Sequence, residues 1–240
     1  MSPTKTWIAI AALLLVGCFQ DDDILETGQK IYSQHNEELL ARHFFNDRRG
    51  GFYVDVGAFQ PRQYSTTAYL HEYLDWNGIA IDAQAGLADI WRQMRPRAKF
   101  FSYIVTDHSG AIETLFLAGP VSSTQQSHRG ELEGMGLLPE GGIPERKVEV
   151  ETITLNDLLD REGVKKVDFL SIDIEQAELK ALAGFDIKRF RPDLVCIEVW
   201  PTSRAGVEKY FAENGYVRIE KYRDLDSNWW FKPTGTPLPE

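Results

Sequence analysis

Cysteine is scarce in this chain. Its 240 residues hold two, Cys18 and Cys196, so no disulfide framework organises it, and Cys196 sits in an apolar strand-like run as a buried thiol. No cluster of cysteine and histidine has zinc spacing. Lysine and arginine never run beyond two in a row, and the formal net charge is −10; a nucleic-acid footprint is therefore excluded. No G-x-G-x-x-G motif follows the first predicted strand. The close backbone approach that a pyrophosphate needs is missing, which disfavours NAD or FAD. The apolar run over residues 7–16 is short of the about 20 residues that span a bilayer. What remains is ordinary: 43% apolar and 26% charged residues, the composition of one folded α/β domain.

The informative stretch is 51–84. An apolar, β-branched and aromatic run at 52–56 leads into Gly57 and Ala58, with Asp55 just before its end. A polar bend follows, then a helical pattern over 66–76, then a second apolar run at 79–81 that ends in Asp82. Strand, turn, helix and strand, with an acid at each strand tip, is the layout of a nucleotide-binding βαβ unit. An acid ending the second strand accepts hydrogen bonds from both hydroxyls of a ribose. With no phosphate cradle, a ligand that has ribose and adenine but no phosphates fits best, and S-adenosylmethionine (SAM) is the common one. The plain alternative is a turn glycine and a solvated strand-end acid.

Residues 1–20 read as a targeting segment, left out of the fold. Lys5 precedes the apolar run, and Leu15-Val16-Gly17-Cys18 resembles a bacterial lipobox with Cys18 as the lipidated residue. The expectation is membrane association through this N-terminal segment. Residues 21–28 are a tether and 29–240 the domain. A helix is expected over 29–46 and another over 86–94, stopped by Pro96. Strands are expected at 100–105, 167–174 and 193–200, with a hairpin pairing 111–118 and 147–155. Short helices fill 156–161 and 177–183; a helix at 204–214 and strands at 216–221 and 229–232 follow. The loop over 119–146, with six glycines and three prolines, is long enough to be functional and reads as a flap near the site. Strands alternating with helices predict a mostly parallel sheet with helices on both faces and an antiparallel hairpin at one edge.

In such a sheet the ligand lies at the carboxyl ends of the strands. Those ends carry Asp55 and Gly57, Asp82, Asp107 with His108, Asp173 with Glu175, and Glu198. Each acid alone is more often a rim residue; together they make an edge suited to a cationic sulfonium with a ribose. The chain resembles the FkbM-type SAM-dependent methyltransferases. The resemblance rests on VDVGAFQPRQYSTTAYLHEYLDWNGIAIDA (54–83), RPR (95–97), VETITLNDLL (150–159), VDFLSIDIEQAEL (167–179), RPDLVCIE (191–198) and NWWF (228–231). It implies a Rossmann-like class I fold with a seven-stranded sheet, and methyl transfer from SAM to a hydroxyl oxygen. It also implies cofactor-binding roles for Asp55, Gly57, Ala58, Asp82 and Asp107. Asp173, Glu175 and Glu198 would serve catalysis. A small molecule or glycan would be the acceptor, and no metal is called for. Two positions depart from the family: Gln176 stands where the acidic motif has glycine, and Gln60 where a histidine is common. These departures keep a second reading open, an exported, non-catalytic binding module on the same fold. His108 reads as a surface turn histidine, and Trp200, Trp229 and Trp230 as packing residues.

Overall fold

The computed structural model describes residues 31–125, 146–222 and 228–239. The expected targeting segment, Cys18, the tether and most of the long loop lie outside the described residues.

Strands β1 (Phe52–Val56) and β2 (Asn77–Ile81) pair in parallel with Asp55 beside Ala80. β3 (Lys99–Phe101) lies outside β2, while β7 (Phe169–Ile172) and β8 (Leu194–Glu198) extend the sheet on the other side of β1, all in parallel. β10 (Asn228–Pro233) inserts antiparallel between β8 and the outermost strand, β9 (Tyr216–Arg218). The order is β3-β2-β1-β7-β8-β10-β9, the mostly parallel seven-stranded sheet and edge hairpin that the sequence predicts. A second, three-stranded sheet places β6 (Arg146–Ile153) between β4 (Ile104–Val105) and β5 (Ile112–Leu117), and β5 and β6 form the expected antiparallel pair.

Strand side chains alternate between two cores. Tyr53, Phe169, Leu194 and Trp230 face Leu40 of α1 (Glu37–Phe45), Leu70 of α2 (Ala68–Tyr73) and Leu74, which caps α2. Val54, Val56, Ile172 and Ile197 face Leu158, Leu182, Phe190 and Phe211. Those come from α4 (Leu155–Arg161), α5 (Glu178–Ala183), α6 (Ile187–Phe190) and α7 (Arg204–Glu213). Between α2 and α4 comes α3 (Ala88–Met94), whose Trp91 packs with Ala80 and Ala58. Helices thus cover both faces.

Three boundaries differ from expectation for local reasons. α1 begins only at Glu37, because the buried Glu38 carboxylate accepts the N–H groups of Ile31, Tyr32 and Ser33 and holds them in a bend. The strand expected over 100–105 divides into β3 and β4, with the Ser102 hydroxyl between them donating to the Ala83 carbonyl. The one-turn helix α6 was absent from the sequence reading; Asp186 caps it by accepting from the Arg189 N–H. Trp230 is fully buried and stacked on Phe169, and Trp229 lies under the Arg218 guanidinium.

Candidate active site

The order of strands reverses between β1 and β7, which makes their carboxyl ends the switch point of the sheet. Gly57 turns the chain there. Its φ is +83°, and a Cβ built on it would stand 1.7 Å from the Asp173 carbonyl oxygen. Only glycine permits this approach. The Gly57 and Ala58 N–H groups donate to the Ile81 carbonyl, and the Asp173 N–H donates to that of Val56, so three strand ends are tied together.

Asp82 completes the turn. Its two carboxylate oxygens accept from the Phe59 N–H at 3.0 Å and the Gln84 N–H at 2.8 Å. The Gln84 side chain also hydrogen-bonds this carboxylate, which, with about four acceptor sites, still has capacity for a ligand hydroxyl. Burial pushes the Asp82 carboxyl up to about 6 against the opposing pull of those hydrogen bonds, with a smaller push from Asp55. A cleft of about 530 Å³, open to solvent, lies over these residues. Gly57, Asp82, Asp173 and Glu175 line it with the apolar Ile104 and Val105.

The acidic turn after β7 is built with backbone strain. Glu175 and Gln176 both take left-handed backbone, φ +54° and +76°. Gln176 therefore reproduces the conformation a glycine would favour, at a cost of about 1–2 kcal/mol. Fully buried Glu178 holds the turn from below, its Oε1 accepting the N–H groups of Ile174 and Gln176, while its Oε2 has no hydrogen-bond partner. Burial, with the nearby Glu175 charge, pushes Glu178 up to about 7 despite its backbone hydrogen bonds. Glu198 ends β8 and accepts from the Trp200 indole N–H at 2.7 Å. Burial first, then the charges of Asp173, Glu175 and Glu178, hold its carboxyl far above the usual range, so it is neutral near pH 7. Neither Glu198 nor Trp200 is part of the cleft's lining.

The start of the long loop does lie at the site. Gln84 Nε2 donates to the Gly119 carbonyl, Ser123 Oγ to that of Glu175, and Gln125 Nε2 to that of Gln176. Residues 119–125 thereby bridge the two walls of the cleft.

Three residues given cofactor-binding roles are not part of the lining. The buried Asp55 points to the opposite side of the sheet from Val56, where its Oδ2 accepts from the Thr67 hydroxyl at 2.6 Å. Ala58 packs with Ala80 and Trp91. Asp107 is exposed and accepts from His108. That hydrogen bond to His108 holds the Asp107 carboxyl below its ordinary value. His108 also meets Glu113, as a surface histidine. Sequence reasoning gave no role to Tyr103, Ser122 or Thr124 in the lining, nor to Glu178 beneath it. Among the described residues no group of three or more His, Cys, Asp or Glu side chains is placed to hold a metal, and no helix is long and apolar enough to cross a membrane.

The family model for the methyltransferase FkbM domain matches residues 55–218. No curated protein sequence matches the chain. Among solved structures, a TehB-like SAM-dependent methyltransferase from Corynebacterium glutamicum is similar at 14% identity and TM-score 0.45, over 87% of this chain and 91% of that one. A putative RNA methyltransferase from Pyrococcus horikoshii is similar at 14% identity and TM-score 0.39, over 82% and 81%. A precorrin-6y C5,15-methyltransferase from Geobacter metallireducens is similar at 11% identity and TM-score 0.40, over 88% and 92%.

Proposed function

The chain belongs to the FkbM methyltransferase family, and from that premise we propose that it methylates a hydroxyl oxygen of a small-molecule acceptor, in particular a glycan, a lipid-linked sugar or a secondary metabolite. The methyl donor is S-adenosylmethionine, and the donor set suits it: a strand-end carboxylate with acceptor sites to spare, apolar Ile104 and Val105 for a flat ring, and a turn with no Cβ. When bound, it supplies an electrophilic methyl group on a sulfonium.

The chain's own part is positioning and proton handling. As the new C–O bond forms and the S–CH3 bond breaks, the acceptor's hydroxyl proton must leave. Asp173, held against Gly57 in the cleft wall, takes it. Glu175 flanks the same wall, and neutral Glu198 donates a hydrogen bond that orients the acceptor. The approach of Gly57 to the Asp173 carbonyl is the observation that carries this reading, because it fixes the Asp173 backbone at the turn, and Asp173 lines the cleft there. The preserved left-handed backbone at Gln176 favours it over the non-catalytic reading. In this reading the domain works on the cytoplasmic side, where its methyl donor is made, with residues 1–20 as an uncleaved anchor and 21–28 as the tether.

Asp173→Asn is the test. Turnover with a hydroxylated acceptor is expected to fall by about 10²-fold or more, with SAM affinity unchanged in calorimetry. Full activity in this variant removes Asp173 from the chemistry.

A second prediction concerns pH. Asp82 accepts the ribose hydroxyls as the carboxylate, so binding must release the proton it holds below about 6. SAM should bind about tenfold more weakly at pH 5 than at pH 7.5. A flat profile across that range shows that Asp82 does not contact the cofactor. The fold has the opposite sign: the raised carboxyl favours folding most below its unfolded value of 3.8, an advantage lost as pH rises through about 6.

A further inference from the structure

A second concavity is a shallow groove of about 710 Å³. One wall is Ile31, Tyr32 and Gln34, from the segment entering α1; the other is Arg62, Gln63 and Tyr64, from the connection between β1 and α2. The chain leaves the C-terminus of α1 and enters the N-terminus of β1, so the start of α1 stands at the carboxyl edge of the sheet. Residues 62–64 leave β1 at that same edge. Both walls therefore flank the edge that carries Gly57 and Asp82.

Both walls are fixed from beneath by buried charges. Fully buried Glu38 holds the N–H groups of Ile31, Tyr32 and Ser33, the last two at 2.8 and 3.2 Å. Fully buried Arg95 donates to Ser65 Oγ at 2.6 Å, next to Tyr64. What these anchors present to solvent is apolar: Ile31 and Tyr64 are each 52% exposed. Tyr64 also takes left-handed backbone, φ +61°, an uncommon state for a bulky residue.

We propose that this groove binds the neutral saccharide part of the acceptor, an inference that rests on the hydroxyl-methylating reading above. The chemistry selects that class. A tyrosine ring offers an apolar face to the C–H face of a sugar and a polar tip to its hydroxyls, and Gln63 adds an amide donor and acceptor. Arg62 is not a free cation: its guanidinium meets Glu72 at 2.5 Å, and the Tyr32 hydroxyl donates to the same carboxylate at 2.7 Å. An anionic ligand has no uncompensated charge to meet there. A neutral polyol has acids, amides and hydroxyls to bond and aromatic rings to cover.

The test is binding of the full chain to a printed array of neutral and charged mono- to tetrasaccharides, followed by calorimetry with the best neutral binder and, separately, with SAM. The wild type should bind a neutral saccharide. Tyr64→Ala should weaken it by about tenfold or more, while Tyr64→Phe, which keeps the ring, stays near wild type. SAM affinity should be the same in all three. No neutral saccharide bound, binding confined to charged glycans, or equal binding by Tyr64→Ala each overturns the groove. SAM binding without saccharide binding leaves the methyl-transfer reading standing alone. Saccharide binding through Tyr64 without SAM binding sinks that reading and leaves the groove.

Discussion

Gly57→Ala should destabilise the protein by about 2–5 kcal/mol and abolish SAM binding. Two costs combine. The backbone at φ +83° is left-handed, which costs an L residue about 1–2 kcal/mol. The added methyl would also fall 1.7 Å from the Asp173 carbonyl oxygen and 2.7 Å from its carbon. That neighbour is backbone just past the end of β7, held by the Asp173 N–H on the Val56 carbonyl, so it cannot swing aside as a side chain would, and overpacking of this kind adds about 1–3 kcal/mol. Gly110 separates the two costs. Its φ is +82°, yet nothing lies within 4 Å of a Cβ built there. Gly110→Ala should therefore show the backbone cost alone, about 1–2 kcal/mol, and keep SAM affinity. Urea unfolding and calorimetry on both variants check this. Equal losses for the two glycines show that β1 and β7 are not locked together at the site.

The same glycine shows how far the sequence was readable. Its place after an apolar run and before a second strand ending in Asp82 is a local pattern, and the sheet order follows from it with the other apolar runs. Asp55 is different. Its parity with Tyr53, opposite to Val54 and Val56, is visible in the sequence, but which face carries the cleft depends on partners far along the chain. Thr67 and Arg95 claim the Asp55 side, and nothing near Asp55 announces them. Asp107 follows a strand, β4, whose Ile104 and Val105 do line the cleft, but its carboxylate turns to the adjacent His108, an outcome that strand position alone does not give. Glu178 stands at the start of α5, where an acid is ordinary. That its carboxylate props up a strained acidic turn required the fold.

Arg95→Met is expected to have the other large effect, a loss of about 3–5 kcal/mol, because it leaves a buried carboxylate without its counter-charge. Arg95 is fully buried, its guanidinium 4.7 Å from the Trp91 ring centre. Its Nη1 donates to Thr67 Oγ1 at 2.9 Å, and that hydroxyl in turn donates to Asp55 at 2.6 Å. The relay matters because burial pushes Asp55 up, while the Thr67 hydrogen bond and the Arg95 charge pull it back. His71 cannot replace the cation: burial, then Arg95 and Arg97, push it down to about 4, so it is neutral at pH 7. Without Arg95, the folded Asp55 carboxyl moves further above its unfolded value. A group raised in this way contributes most below its unfolded value and loses that contribution as pH rises. The variant should therefore be more damaged at pH 8 than at pH 5, as read by urea unfolding at both. Asp55→Leu together with Arg95→Met removes both charges and should recover part of the loss. A double variant no better than Arg95→Met alone shows that Arg95 acts by packing on Trp91, with the charge of Asp55 of little consequence.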